Sequence, residues 1–312
     1  MRLVFLGTPA FAVPTLEALV QNGHEVVSVV TQPDRPKGRG QELAESPVKQ
    51  AAQRLGIPVY QPERIRRPEA QAHVAELKPE IMVVVGYGQI IPQSVIDIPP
   101  RGIVNVHASL LPKYRGAAPV QWAIVNGEER TGVTTMQIDA GLDTGDILLA
   151  RETEIGRDEN AVELADRLSV MGAKLLVETL AGLVRGTITP RKQVEAEATH
   201  AAILKKEDGA ISWHAPAAAI HNRVRGLVPW PGAYTRFRGQ MLHVWKARVC
   251  AGHVALAAGR ILGDPGFRVA SGDGGIVQLL EVQMEGRKRM TADVFLRGQR
   301  LTEDEILGET SN

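Results

Sequence analysis

Two polar side chains lie at the end of a predicted apolar strand, at a spacing suited to catalysis. Asn105 lies within the run Ile103–Val106, and His107 follows it directly. Residues two apart in an extended segment project to the same face. A carboxamide can donate to a developing oxyanion, and an imidazole can donate, accept or carry charge near neutral pH. The two residues are therefore a candidate catalytic pair. The alternative is a strand end that makes ordinary hydrogen bonds.

An acidic loop supplies a third candidate group. Three aspartates and two glycines occur within eight residues: Asp139, Gly141, Asp143, Gly145 and Asp146. One carboxylate could lie near His107, orient it and favour its charged form. A turn between strands, stabilised by aspartate side chains, is the alternative. The spacing does not predict a metal site, because there is no EF-hand pattern and none of the eight histidines forms an HExxH motif.

Other catalytic and binding motifs are absent from the sequence. Gly7 closes the first predicted strand, but no G-x-G-x-x-G fingerprint begins there, and neither a Walker A nor a G-x-S-x-G motif occurs. Cys250 is the single cysteine. An intramolecular disulfide and a cysteine metal site are therefore excluded.

The elements that must position these residues alternate along the first half of the chain. The apolar runs that predict strands are Leu3–Leu6, Val26–Thr31, Ile57–Tyr60, Ile81–Val85 and Ile103–Val106. The segments with helical spacing are Ala10–Val20, Val48–Leu55, Pro68–Leu77 and Ala161–Val184. This alternation predicts an α/β fold with a Rossmann-like, mostly parallel sheet, in which Pro58 marks an edge strand. Gly132–Ile138 and Asp146–Ala150 suggest an antiparallel pair at the end of the sheet. Ligands bind beyond the carboxyl ends of such strands, where Asn105 and His107 are expected.

The second half follows a different pattern. A polar, irregular stretch at residues 189–206 predicts a linker between a first domain, 1–188, and a second domain, 207–312. A helical stretch, Ala215–Arg225, comes next. The short segments beyond it predict a small antiparallel barrel. They are Tyr234–Phe237, Met241–Trp245, Val254–Ala258, Arg268–Ala270 and Ile276–Leu280.

Length and composition limit the class of protein. The 312 residues suffice for about two domains. Lys and Arg total 36 against 35 Asp and Glu, so a polybasic, non-specific nucleic-acid binder is disfavoured. No apolar run approaches the ~20 residues that span a bilayer. We expect a cytoplasmic protein.

Two motifs together resemble the folate-dependent formyltransferases. The first is Asn105-Val106-His107-Ala108-Ser109-Leu110-Leu111-Pro112, followed by Tyr114-Arg115-Gly116-Ala117-Ala118-Pro119. The second is Gly132-Val133-Thr134 with Asp139-Ala140-Gly141-Leu142-Asp143-Thr144-Gly145-Asp146-Ile147. Ala108 replaces a glycine found in some relatives. The resemblance implies 10-formyltetrahydrofolate as co-substrate, no metal, and Asn105, His107 and Asp143 as catalytic residues.

Three further segments resemble the branch of this family that formylates methionyl-tRNA. The first is Phe5-Leu6-Gly7-Thr8-Pro9, and the second is Thr31-Gln32-Pro33-Asp34-Arg35-Pro36-Lys37-Gly38-Arg39-Gly40, which continues to Ser46-Pro47-Val48-Lys49. The third is Trp230-Pro231-Gly232 with Val244-Trp245-Lys246-Ala247. The implied partners are folate and initiator methionyl-tRNA, with neither a membrane nor an obligatory protein partner. The loop 32–47 carries Arg35, Lys37 and Arg39, and a mobile basic loop can become ordered on RNA. Arg39 is expected to be its most important side chain; a solvated surface loop is the alternative.

The resemblance also implies the remaining site residues. Folate contacts are expected from Ser109, Leu110, Leu111 and Pro112, and from the backbone of Gly86, Tyr87 and Gly88. The second domain is expected to be OB-like, a class of barrel that binds oligonucleotides. Its candidate phosphate contacts are Lys205, Lys206, Arg223, Arg225, Arg287, Lys288 and Arg289.

Three alternative functions remain open on the sequence. A formyltransferase that acts on a small amine would share the catalytic triad. An RNA-binding module on an inactive folate scaffold would retain the basic loop. A hydrolase would release formate without an amine acceptor.

Overall fold

The computed structural model describes residues 1–37, 42–262, 266–302 and 304–308. Internal contacts divide the chain into two units. The first unit comprises Met1–Gly116, Thr131–Thr153 and Ala165–Ala201. The second unit comprises Ala117–Arg130, Glu154–Leu164 and Ala202–Asn312. Both units draw on non-contiguous stretches, and the domain boundaries 1–188, 189–206 and 207–312 stay a prediction.

The elements up to residue 201 alternate largely as the apolar periodicity predicts. The strands are β1 (Arg2–Gly7), β2 (Glu25–Val30), β3 (Arg35–Lys37), β4 (Glu42–Ala44), β5 (Val59–Tyr60), β6 (Ile81–Val85), β7 (Ile103–His107), β8 (Arg115–Gly116), β9 (Arg130–Gln137), β10 (Ile147–Glu154) and β11 (His200–Ala201). The helices are α1 (Val13–Gln21), α2 (Pro47–Arg54), α3 (Pro68–Glu76), α4 (Gln93–Ile96), α5 (Pro119–Val125) and α6 (Ala161–Arg185).

The main sheet of the first unit has the order β10-β9-β7-β6-β1-β2-β5. The β1–β2, β1–β6, β2–β5 and β6–β7 pairs are parallel, and β7 and β9 are antiparallel. Every residue of β6 and β7 is buried, as expected for central strands covered on both faces. The mostly parallel sheet and the edge position of β5 beside Pro58 confirm the predictions.

Helices α2 and α3 begin with recognisable start signals. Ser46 accepts a hydrogen bond from the Lys49 backbone at the start of α2, and a proline occupies the first turn of α2 and of α3. In the register of the main sheet, Asn105 lies beside Val84 in β6 and opposite Met136 in β9.

The second unit contains a curled antiparallel half-barrel, in agreement with the predicted OB-like fold class. Its elements are α7 (Ala217–Gly226), β12 (Ala233–Phe237), β13 (Gln240–Cys250), β14 (Ile261–Leu262), β15 (Phe267–Ala270), β16 (Ile276–Met284), β17 (Met290–Thr291) and α8 (Ala292–Arg297). The sheet order is β12-β13-β16-β15-β14, with β17 paired to β16. Its core includes Phe237, Phe267 and Phe295.

One local prediction needs correction, and the structure adds elements that the sequence did not predict. The expected strand Val254–Ala258 is wrong: this stretch is irregular and contains a bend at Leu256, and Gly252 and Gly259, which flank it, adopt positive φ angles of 115° and 85° that interrupt an extended chain. Helix α8, capped by Thr291, was not predicted. Within the basic loop 32–47, β3 and β4 pair as an antiparallel ribbon.

The predicted linker is structured along much of its length. Arg191 forms an antiparallel bridge with Ile147, and β11 pairs in parallel with β8. Residues up to Ala201 therefore belong, by their contacts, to the first unit.

Candidate active site

The sheet positions Asn105 and His107 at the carboxyl end of β7. The two side chains are nearly buried, at 8% and 6% exposure. Their spacing of two residues within an extended strand directs them to the same face. The predicted juxtaposition of carboxamide and imidazole therefore occurs.

One backbone carbonyl fixes the imidazole of His107. Its Nε2 lies 2.9 Å from the carbonyl oxygen of Tyr114. A carbonyl can only accept, so Nε2 carries a hydrogen and donates it. Tyr114 has a positive φ of 62°, and its own N–H donates to Oγ1 of Thr199 at 2.8 Å. The ring is thus oriented through Nε2, and Nδ1 is left for chemistry.

Asp143 brings its carboxylate to both residues. Its Oδ2 lies 3.6 Å from Nδ1 of His107, and its Oδ1 lies 3.5 Å from Nδ2 of Asn105. Oδ2 also accepts a hydrogen bond from the Gly116 backbone at 2.8 Å. The three side chains that the motif predicts as catalytic therefore converge on one place.

The Asp143 loop has a tight conformation. Asp143 itself adopts a positive φ of 53°, which is uncommon outside glycine. Oδ1 of Asp139 accepts from the Gly141 backbone at 3.0 Å and from the Thr144 hydroxyl at 2.7 Å. A Cβ at Gly145 would lie 1.8 Å from the carbonyl oxygen of Gln137, so only glycine fits there. Asp139 therefore stabilises a turn, as the alternative reading of this acidic loop predicted. Asp143, in contrast, faces the imidazole of His107.

This geometry suits stabilisation of a developing negative charge. Asn105 supplies amide hydrogens, and His107 places its ring nitrogen Nδ1 beside the Asp143 carboxylate. The arrangement requires neither a nucleophilic side chain nor a metal.

The Ser109–Pro112 segment, predicted to contact folate, is separated from the end of β7 by a single residue. Ser109 is fully buried; its hydroxyl donates to the carbonyl of Lys113 at 2.6 Å, and its carbonyl accepts from the Thr134 hydroxyl at 2.7 Å. Leu111 is also buried, whereas Leu110 and Pro112 are partly exposed. Leu110 and Pro112 are thus the members of this segment whose side chains reach the surface.

The turn Gly86–Gly88 follows β6 at the same edge of the sheet. Gly86 and Gly88 have φ angles of 58° and 83°, which favour glycine. The Tyr87 ring is 2% exposed in the core, and burial raises the pKa of its hydroxyl. Its carbonyl accepts from the Thr8 hydroxyl and from Nε2 of Gln32, both at 3.1 Å. A ligand at this turn would meet backbone rather than the tyrosine ring.

The predicted RNA-reading loop is described in part. Arg35 is exposed on β3. The backbone of Lys37 ends the same strand. Arg39 lies outside the described residues.

The predicted basic residues of the second unit fall into two groups. The exposed ones are Lys205, Lys206, Arg287, Lys288 and Arg289. Arg289 is also paired with Glu281 at 2.5 Å and stacks on the Trp245 ring at 5.4 Å.

Arg223 and Arg225 are partly buried and bond to backbone. Arg223 donates to the Asp208 carbonyl, and Arg225 donates to the carbonyls of Gly156 and Glu159 at 3.1 and 2.8 Å. Burial lowers the pKa of Arg225. These contacts tie α7 to neighbouring segments of the second unit.

Sequence reasoning missed several residues that shape the site. Gln193 donates to the carbonyls of Asp143 and Gly145 at 2.8 Å each, and Arg115 is a buried cation that pairs with Glu195. Arg115 stands in the motif, and a buried arginine needs an acidic partner, which the run Glu195–Glu197 supplies. The sequence around Gln193 contains no motif that predicts its role. That role depends on tertiary structure, because the segment before β11 reaches the Asp143 loop only in the folded chain.

In the ranges that the structure describes, no three His, Cys, Asp or Glu side chains are grouped so that they could hold a metal ion. Within those same ranges, no helix combines the length and apolar character needed to cross a membrane.

Comparison with known proteins gives matches over almost the whole chain. The formyl transferase family model matches residues 1–180, and the model of the formyl transferase C-terminal domain matches residues 203–300. A methionyl-tRNA formyltransferase from Solibacter usitatus is 67% identical over 309 residues, covering 99% of both chains. One from Koribacter versatilis is 54% identical and covers 100% of both.

A solved structure also has a similar fold. It is an N-formyltransferase from Helicobacter canadensis in complex with folinic acid and dTDP-3-aminofucose, with a TM-score of 0.71 and 20% identity. The match covers 91% of this chain and 99% of that one. At this identity the likeness concerns the fold alone. The family models and the high identity to full-length relatives assign this chain to the formyl transferase family, among the methionyl-tRNA formyltransferases.

Proposed function

We propose that this protein transfers the formyl group of 10-formyltetrahydrofolate to the α-amino group of initiator methionyl-tRNA. The observation that carries the proposal is the convergence of Asn105, His107 and Asp143 in a chain 67% identical to a methionyl-tRNA formyltransferase. The product would be N-formylmethionyl-tRNA for translation initiation.

The residues at the sheet edge fit a folate co-substrate. The donor set, Asn105 Nδ2 and His107 Nδ1, matches the needs of a formyl oxygen, which is a hydrogen-bond acceptor. The glycines of the Gly86–Gly88 turn carry no side chain of their own, and the partly exposed Leu110 and Pro112 offer apolar surface. The folate supplies an activated one-carbon group on nitrogen.

The chemistry needs donors and a proton acceptor from the chain. The neutral amine of the methionyl group attacks the formyl carbon, a C–N bond forms, and negative charge develops on the formyl oxygen. Asn105 and protonated His107 donate to that oxygen. Loss of one such donor typically costs about 10²–10³-fold in turnover.

Asp143 has two tasks in this scheme. Its negative charge beside Nδ1 of His107 stabilises the protonated ring. It also helps to remove the proton that the amine releases, while the C–N bond to the folate breaks and the departing nitrogen gains a proton. The Gly116 N–H keeps the carboxylate in place for both tasks.

Basic residues at two places are proposed to bind the tRNA. Arg35, Lys37 and Arg39 belong to the 32–47 loop, and the second unit adds the exposed Lys205, Lys206, Arg287, Lys288 and Arg289. Because phosphate contacts release counterions, tRNA binding should weaken as salt rises. Arg223 and Arg225 already donate to backbone carbonyls. Of the proposed phosphate contacts, these two are therefore less favoured than the exposed basic residues.

One assay tests the proposed acceptor. The enzyme is incubated with 10-formyltetrahydrofolate and with charged initiator tRNA, charged elongator tRNA or free amino sugars and ribonucleotide amines. We expect formylation of initiator methionyl-tRNA above the other acceptors. Formylation of a small amine without the tRNA would contradict the proposal, and so would release of formate without an acceptor at the rate of tRNA formylation.

A further inference from the structure

One glutamine from outside the catalytic motifs holds the Asp143 loop. Gln193 lies in the stretch between α6 and β11 and is partly buried. Its Nε2 donates to the carbonyl oxygens of Asp143 and Gly145, both at 2.8 Å. Its Oε1 accepts from Nε of Arg115 at 3.0 Å. Both amide hydrogens and the oxygen are thus engaged, which fixes the orientation of the carboxamide.

A buried arginine fixes Gln193 in turn. The Arg115 side chain is 2% exposed, and its Nη1 donates to Oε1 and Oε2 of Glu195 at 3.1 and 2.9 Å. Glu195 lies two residues beyond Gln193 and is largely exposed. A buried guanidinium is costly unless paired, so Arg115 strongly favours this placement of the 193–195 segment.

Strand β8 therefore holds Asp143 in two ways. The Gly116 N–H binds the carboxylate directly at 2.8 Å. Arg115, the residue before it, orients Gln193, which binds the backbone of the same aspartate. The adjacent residues Arg115 and Gly116 thus hold the main chain of Asp143, through Gln193, and its carboxylate, directly.

The aspartate needs such support. Asp143 has a φ of 53°, in the left-handed region that residues with a side chain seldom adopt. Its neighbour Leu142 is 63% exposed, so the loop gains little from packing there. A catalytic group held loosely loses rate steeply, because a displacement of about 1 Å can cost ~10²-fold.

We propose that Gln193 is a positioning residue, which holds the Asp143 loop so that the carboxylate faces Nδ1 of His107. The proposal rests on the formyl-transfer function given above. Gln193 acts through Asp143 and touches no reacting atom.

The test combines substitutions at the two positions. Gln193→Met keeps the length of the side chain and removes all three hydrogen bonds. We expect kcat to fall roughly 10–100-fold, with KM for methionyl-tRNA and for 10-formyltetrahydrofolate changed far less. Lys192→Met is the matched control, because it places the same side chain on an exposed neighbour; its kcat should equal that of the parent.

The double variant separates positioning from a general structural role. If Gln193 acts through Asp143, adding Gln193→Met to Asp143→Asn should lower single-turnover rates little further. Losses that multiply in the double variant would overturn the proposal. A Gln193→Met enzyme with the parent's kcat would do so as well.

Failure of the proposed acceptor would be recognised separately. A parent enzyme that formylates a small amine instead of methionyl-tRNA would disprove the acceptor, and the same cycle would then be measured with that amine. Gln193→Glu adds a second comparison, because its carboxylate can still accept from Arg115 but cannot donate to the two carbonyls. It should lose activity as Gln193→Met does; full activity would contradict the role of the two donors.

Discussion

The carboxylate of Asp143 lies 3.6 Å from Nδ1 of His107, while the other ring nitrogen donates to a backbone carbonyl. The distance is longer than a hydrogen bond. The Tyr114 carbonyl therefore orients the ring through Nε2, and the Asp143 carboxylate faces Nδ1 without a direct hydrogen bond to it.

Removing the carboxamide of Asn105 should affect turnover more than binding. Asn105→Ala is expected to lower kcat about 10²–10³-fold, because it removes a donor to the developing oxyanion. Initial rates at saturating methionyl-tRNA and folate would measure this. Gln93→Ala, which removes an exposed carboxamide on α4, is the control. An Asn105→Ala enzyme with the turnover of the parent would exclude a donor role for this residue.

A methyl group at Gly145 should disrupt the catalytic loop. The added Cβ would lie 1.8 Å from the Gln137 carbonyl oxygen, so the backbone must move. Gly145→Ala is expected to reduce the free energy of unfolding by about 1–3 kcal/mol and to lower kcat. Denaturant unfolding gives the first quantity. Gly298→Ala is a suitable control, because a Cβ there meets its nearest atom at an ordinary 3.5 Å. Equal stability of the two variants would refute the steric argument.

Arg39→Ala should weaken use of tRNA and leave folate binding unchanged. A charge-assisted contact is worth about 1.5–3 kcal/mol, so kcat/KM for methionyl-tRNA should fall roughly tenfold or more. Steady-state kinetics at varied tRNA concentration would show it. Arg66→Ala, on an exposed arginine elsewhere in the first unit, should behave like the parent. If both variants lost activity to the same extent, general electrostatics rather than the loop would account for tRNA binding.

Acidification should destabilise the fold through histidines whose pKa is lowered by burial. Burial, together with the nearby Arg225, lowers the pKa of His221 below its ordinary 6.5. Below pH 6.5 the unfolded chain therefore binds more protons than the folded one, and stability falls with pH until the folded-state pKa is passed. Burial lowers the pKa of His24 and of His243 in the same direction.

His221→Gln should therefore show a smaller drop in melting temperature between pH 7.5 and 5.5 than the parent. Thermal unfolding at the two values would measure the difference. His200→Asn, on an exposed histidine, should keep the parent's drop. If the melting temperature of His221→Gln falls as much as that of the parent between the two pH values, His221 does not cause the pH dependence of stability.

The sequence predicts the strands of the main sheet and the catalytic residues well. It does not predict the contacts that support the site. Apolar runs such as Ile81–Val85 gave the strands of the main sheet, because buried central strands need continuous apolar residues. The two-residue spacing of Asn105 and His107 was enough to place them on one face. Gln193 and Arg115 escaped prediction, since their partners lie tens of residues away and meet only through strand pairing. The missed helix α8 is short, and tertiary packing of Phe295 stabilises it more than its periodicity does.

The most direct test of the catalytic triad is the turnover of Asp143→Asn in formyl transfer to initiator methionyl-tRNA. The amide keeps the shape of the side chain and removes the charge beside His107. We expect kcat to fall at least about 10²-fold, while Asp146→Asn in the same loop retains the parent's rate. Parent-like turnover in Asp143→Asn would contradict the account of how this site works.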